Sequence, residues 1–206
     1  MYLHLAPCRR RPGRRAAPRC SAQDILRRYR AAYQRPWPRP LRFNGDARDF
    51  WQVIVTEAIG SDDPAIFEDI YRYYEKSEAW MVAPGAPEAI QRLKDAGLKL
   101  AVVSNFDTRL GKILETVGLA NYFDTVVCSA EVEAEKPSPL IFQEALRRLG
   151  CEPEEVIHIG DDRRNDLWGA RGAGIACLLY GTDARTFNDV ADHILSGRPP
   201  GDRNLN

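Results

Sequence analysis

The sequence predicts an α/β protein: a doubly wound parallel sheet over residues 81–206, preceded by an all-helical module over residues 21–80. Three observations carry this. From residue 83 onward, short apolar runs alternate with helical patterns, the rhythm of a parallel sheet with helices on both faces. The runs Leu100–Val103 and Val156–Ile159 are apolar or nearly so without alternation, as suits strands buried on both sides. Between Ser21 and Trp80 no run reads as a strand, while apolar residues recur at helical spacing.

The elements follow in order. SAQDILRRYRAAY offers Ser21 as N-cap, with Ile25, Leu26, Tyr29, Ala32 and Tyr33 along one face. RPWPRPLRFNGD breaks that helix with three prolines and an Asn-Gly turn. DARDFWQVIVTEAIG and DDPAIFEDIYRYYEKSEAW read as two more helices, the second with Pro64 in its first turn. The aromatic stripe of this module reads as helix-packing core. After APGAP, PEAIQRLKDAG predicts a helix ending at Gly97 and LKLAVVSN a strand. DTRLGKILETVGL predicts a helix closed at Gly118, and YFDTVVCS a strand. SPLIFQEALRRLG is a helix capped by Ser138 with Pro139 at its first position. EEVIHIGDD is a strand, DLWGARGAG a short helix and IACLLYG a last strand.

Composition narrows the class of partner. The 29 basic and 29 acidic side chains cancel, so nothing points to nucleic acid or an anionic membrane surface. No apolar stretch approaches the ~18 residues of a membrane span. Cys8, Cys20, Cys128, Cys151 and Cys177 form no C-x-x-C pair, and no secretory signal precedes them. They read as reduced thiols of an intracellular protein. Residues 1–20 carry six arginines and no acid, with Pro12, Gly13 and Pro18 breaking the segment. It reads as a disordered basic arm or as an organelle transit peptide, so cytoplasm and organelle both stay open. Oligomeric state is not fixed by any of these features.

Ligands of open parallel sheets bind at the carboxyl ends of the strands, and polar residues stand at each such end here. Ser104 and Asn105 close the first strand, able to bond a phosphate oxygen or simply to cap the next helix. Lys136 follows the second strand on a loop, either a point charge for a phosphoryl group or an ordinary surface lysine. Asp161, Asp162 and Asp166 follow the third, as cation ligands or as caps of the helix beyond. Three carboxylates within six positions repel one another and call for something positive nearby.

VVSN at 102–105, Lys136-Pro137 and IGDDRRND at 159–166 resemble the second, third and fourth motifs of the haloacid dehalogenase (HAD) superfamily. Within it, SNFDTRL and KPSPLIFQEALRRLG most resemble the branch called haloacid dehalogenase-like hydrolase domain-containing protein 3. The resemblance covers residues 80–195 densely and makes the helical module 21–80 similar to the cap many members insert after their first strand. It implies Mg²⁺-dependent hydrolysis of a small phosphorylated substrate through an aspartyl-phosphate, with dehalogenation the less favoured chemistry. It also implies roles: Ser104 on the transferring phosphoryl oxygen, Asn105 shaping the site, Lys136 neutralising nucleophile and phosphoryl group. Asp161 would bind Mg²⁺ directly, with Asp166 holding the metal or its water shell and Asp162 second to Asp166 for that place.

One expected piece is missing. The superfamily's nucleophile is an aspartate of a D-x-D motif ending the first strand, and no two aspartates of this sequence are separated by a single residue. Asp24, Asp46 and Asp49 lie in helical or turn sequence, and Asp183 has no partner two residues on. The resemblance puts that first strand centrally, between the strands ending at Asn105 and Asp161. Only MYLHLA precedes Ser21 as a candidate, and His4 does not replace a paired carboxylate. Three expectations follow: an N-terminally incomplete version of an active hydrolase; a pseudoenzyme that binds or regulates; or a doubly wound domain of unrelated use.

Overall fold

The computed structural model describes residues 21–197. The arginine-rich start, with MYLHLA, Cys8 and Cys20, lies outside the described residues, as do residues 198–206. The chain divides into two compact units, one ending at Met81 and the other starting at Val82.

The first unit is helical throughout. Helix α1 (Ala22–Gln34) starts where the Ser21 hydroxyl accepts the Asp24 N–H, leaving one fewer bare donor at its end. Within the proline-rich link a single turn, α2 (Arg39–Arg42), forms with Pro40 near its start. Helices α3 (Arg48–Ile59) and α4 (Pro64–Tyr73) follow, the latter capped by the Asp63 carboxylate. The sequence predicts helix through Trp80, but α4 stops at Tyr73 and a 3₁₀ turn covers Ser77–Ala79. Two aromatic side chains hold the chain in that folded-back course. Trp80 Nε1 donates to the Tyr74 carbonyl, and the Tyr73 hydroxyl to the Glu78 carbonyl. Phe50 is wholly buried, with Trp37 and Trp51 edge-on to its ring at 4.9 and 5.1 Å. Together with Ala32, Ala47 and Ile54 it makes the unit's core, so these aromatics pack helices.

The second unit alternates helices and strands. In order it has α5 (Ala86–Asp95), β1 (Ala101–Ser104), α6 (Leu110–Thr116), β2 (Thr125–Cys128), α7 (Ser129–Val132), α8 (Pro139–Leu149), β3 (Ile157–Gly160), α9 (Gly169–Gly172), β4 (Ala176–Leu179) and α10 (Phe187–Leu195). Between β3 and α9 lies a π-helical turn, Arg163–Trp168, so the turn begins three residues before the helix expected at Asp166. Helices cover both faces. Val103, Val127 and Cys177 point into one cluster with Ile141, Phe142 and Leu146 of α8, whereas Val102, Val126 and Cys128 pack with Leu110 of α6. That is the alternation of a doubly wound sheet.

The sheet itself is interrupted. β1 pairs in parallel with β2, and β3 with β4, but among the described residues no strand joins the two pairs. What bridges them is α8, whose core cluster reaches Val127 on one side and Cys177 and Leu179 on the other. A cavity of about 340 Å³ takes lining residues from β1 and β3 but none from β2 or β4. All four residues of β1 and of β3 stay half-buried, whereas β2 buries two of its four and β4 three. No helix among the described residues is long and apolar enough to cross a membrane.

Candidate active site

The carboxyl ends of β1 and β3 meet at Lys136. Asn105, the residue after β1, grips the backbone of that lysine from both sides. Its Oδ1 accepts the Lys136 N–H at 2.7 Å, and its Nδ2 donates to the Lys136 carbonyl at 3.0 Å. One amide thus supplies the donor and acceptor that a neighbouring strand would. The Lys136–Pro137 peptide is cis. Ser104, the last residue of β1, is half-buried beside this clasp in sequence, and its carbonyl accepts the Phe106 N–H.

From the other side comes Asp166, in the π-helical turn and only 3% exposed. Its Oδ1 accepts from Lys136 Nζ at 2.6 Å and lies 2.9 Å from His158 Nε2, while its Oδ2 accepts the Asp162 N–H at 3.0 Å. Burial alone would push this carboxyl up. The hydrogen bond from His158, the charge and hydrogen bond of Lys136 and the Asp162 N–H outweigh that and hold it far below the ordinary carboxylate range. An ionised Asp166 can only accept, so His158 carries its proton on Nε2. A tight fit fixes the carboxylate: a Cβ on Gly160 would lie 2.1 Å from Asp166 Cγ, so only glycine leaves room at the end of β3.

The three aspartates do not converge. The Asp162 carboxylate accepts the Asn165 N–H at 2.7 Å and caps the π-helical turn. Asp161 is exposed. Among the described residues no group of three His, Cys, Asp or Glu side chains stands ready to hold a metal ion. Capping, the bland reading of the cluster, therefore holds for Asp162, and Asp166 is committed to Lys136 and His158. The donor set still suits Mg²⁺ in the way that ion is commonly held, by one or two carboxylates with water and substrate phosphate oxygens instead of an all-protein cage. Asp161 would be its first ligand; Lys136 and His158 both sit on Asp166 Oδ1, so Oδ2, which accepts the Asp162 N–H, is the oxygen Asp166 would offer.

Sequence reasoning missed His158, although a signal was present: a lone imidazole inside VIHIG needs a partner once the strand is buried. It also passed over Asp107 and Arg109. Asp107 is 3% exposed and accepts from Arg109 Nε at 2.9 Å and Nη2 at 2.8 Å, a forked pair just past Asn105.

Comparison with known proteins agrees with these motifs. A family model described as haloacid dehalogenase-like hydrolase matches residues 10–174. Haloacid dehalogenase-like hydrolase domain-containing protein 3 of Bos taurus is 44% identical over 114 residues, 55% of this chain and 45% of that protein. The protein of that name from Danio rerio is 32% identical over 199 residues, covering 90% and 82%. A glyceraldehyde 3-phosphate phosphatase of Methanothermobacter thermautotrophicus is 39% identical over 101 residues, covering 48% and 45%. The chain spans about half the length of the mammalian relatives it matches. Among solved structures, a HAD phosphatase from Thermococcus onnurineus superimposes with a TM-score of 0.63 at 23% identity, over 87% of this chain and 80% of that one. A dehalogenase captured with an intermediate gives 0.69 at 21%, over 84% of each. At those identities the likeness is one of fold.

Proposed function

The chain belongs to the haloacid dehalogenase-like hydrolases, and we propose that its site serves phosphoryl chemistry on a small phosphate ester. The observation that carries this reading is the meeting of two strand ends on Lys136, fixed by Asn105 from β1 and by Asp166 from behind β3. The glyceraldehyde 3-phosphate phosphatase among the relatives supports a small phosphorylated substrate. In this reading Ser104 donates its hydroxyl to a phosphoryl oxygen and Lys136 offsets the charge on the group. Asn105 is a positioning residue, since it acts only by holding residue 136. The helical unit before Met81 is proposed as the cap that selects the rest of the substrate.

Charge adds a requirement. Lys136 is already paired with the Asp166 carboxylate, so alone it offers an entering phosphate dianion little net positive charge. A hard divalent cation such as Mg²⁺ would reverse that, and when bound it would neutralise charge on the phosphoryl oxygens. Asp161 is its proposed direct ligand, with Asp166 and then Asp162 behind it. No aspartate pair of the D-x-D kind is present to take up the phosphoryl group. The reading is therefore that residues 1–206 bind phosphate with Mg²⁺ and turn over poorly or not at all. A catalytically inactive binding or regulatory protein is the second reading, favoured by the same missing pair.

Titration calorimetry with inorganic phosphate tests this, with and without Mg²⁺. Phosphate should bind measurably only with Mg²⁺, and Asp161→Asn should weaken Mg²⁺ binding while Lys136→Ala weakens phosphate binding. Phosphate affinity indifferent to Mg²⁺ would remove the cation from the site. Hydrolysis of a generic phosphomonoester at about 1 s⁻¹ or faster, an ordinary enzymatic rate, would refute the poor-turnover part.

A further inference from the structure

We infer that His158 is a positioning residue for Lys136: its Nε2–H takes a share of the Asp166 carboxylate, and so lets the ammonium turn toward an entering phosphoryl group. This rests on the phosphate-binding reading of the site and adds a residue to it. Two donors converge on one oxygen. Lys136 Nζ stands 2.6 Å and His158 Nε2 2.9 Å from Asp166 Oδ1, while the Asp162 N–H takes Oδ2. The side chains of Lys136 and His158 are each only 13% exposed, so water is a poor substitute for either donor. Without His158 the buried carboxylate would keep one side-chain donor, and a buried charge stripped of its partner is costly. The ammonium would then be held where it is. With His158 in place, Lys136 can turn some of its three N–H donors to a phosphoryl oxygen while Asp166 retains a side-chain partner.

The surroundings decide which of the three side chains moves. His158 lies inside β3, paired in register with Cys177 of β4, and its ring stands edge-on to Phe142 at 5.1 Å and 89°. Strand and aromatic ring together keep Nε2 aimed at Asp166. Asp166 is confined in its turn, because its carboxylate fills the space that a side chain on Gly160 would take, and Oδ2 is bonded to the Asp162 N–H. Lys136 differs from both. Asn105 clasps its backbone, but its charge sits at the end of a flexible four-carbon stem. A fixed carboxylate, a fixed imidazole and a movable ammonium make a device in which the lysine can be lent to a ligand. Outer partners of this kind are commonly worth tenfold or more in the affinity of the site they support.

Proton NMR of the imidazole N–H and titration calorimetry test this on the full chain, with inorganic phosphate as the probe and Mg²⁺ present throughout. Phosphate should move the His158 Nε2–H resonance downfield from its position with Mg²⁺ alone, because the imidazole then holds an oxygen that the lysine has partly left. His158→Leu should bind phosphate about tenfold more weakly, the worth of a hydrogen bond to a charged group, whereas His158→Gln, whose amide N–H reaches the same place, should stay within about threefold. A resonance indifferent to bound phosphate would overturn the inference. So would a folded His158→Leu chain that binds phosphate as tightly as the native one, the behaviour of a histidine that only fills the core. Absence of phosphate binding by the native chain would overturn the reading of the site, and this inference with it. Where His158→Leu does not fold, the resonance of the native chain decides.

Discussion

At Gly160 a single absent methyl group makes room for the site. Its φ needs no glycine; the space does, since any Cβ there would overlap the Asp166 carboxylate. Gly160→Ala should cost about 3 kcal/mol in urea denaturation, the upper end of overpacking penalties, because the carboxylate it displaces is also an ion-pair partner. A change below about 0.5 kcal/mol would mean that Asp166 moves freely. Asp166 also makes stability depend on pH. Its folded-state pKa lies below its unfolded value, so the stabilisation is complete above the ordinary carboxylate range and is lost as pH falls toward the depressed value. Denaturation curves from pH 7 to pH 3 should fall more steeply for the native chain than for Asp166→Asn, which is itself weaker by about 3 kcal/mol at neutral pH. Parallel curves would exclude Asp166 as the source. Asn105, Lys136 and Asp166 were legible in the sequence because they follow strands, whereas His158, inside β3, was not. Their pairings were not, since spacing along a chain does not say that Asp166 turns toward Lys136 while Asp162 turns back on its own backbone.

Elements were legible where one local signal decided them. Ser21, Asp63 and Ser138 cap α1, α4 and α8 through their side chains. Helix α10 went unread although its signal is local: Thr186 accepts the Asp189 N–H at 3.0 Å, and Asp189 accepts the Thr186 N–H at 2.8 Å. This reciprocal cap predicts that Thr186→Ala costs about 1 kcal/mol. Gly111, inside α6 with open space around its Cβ position, predicts the opposite: Gly111→Ala should gain about 0.5 kcal/mol. Thermal denaturation of the two variants side by side checks both signs. The overlong reading of α4 failed for a tertiary reason, since helical spacing persists to Trp80 while the Trp80 and Tyr73 side chains bond carbonyls that a continuing helix would use.

At the scale of the whole molecule, alternating runs and patterns sufficed to predict parallel strands with helices on both faces; among the described residues no strand joins the two pairs. How the halves stay together without a ladder was not legible, because it rests on α8 contributing to the packing of both pairs at once. The Asn105 clasp has a last consequence, for how the molecule ages. Asparagine loses its side-chain amide when the backbone nitrogen of the next residue swings round to attack it. Phe106 N–H is tied to the Ser104 carbonyl at 2.9 Å, and both ends of the Asn105 amide are occupied, so that attack is blocked at the site. Asn44, followed by Gly45 in an exposed turn, has neither protection. Peptide maps of protein stored at mildly alkaline pH should show Asn44 converted long before Asn105. Were Asn105 to convert first, its new carboxylate would face the Lys136 carbonyl, oxygen against oxygen, and the two strand ends would part: the molecule's shelf life would then be set at its centre instead of in a surface turn.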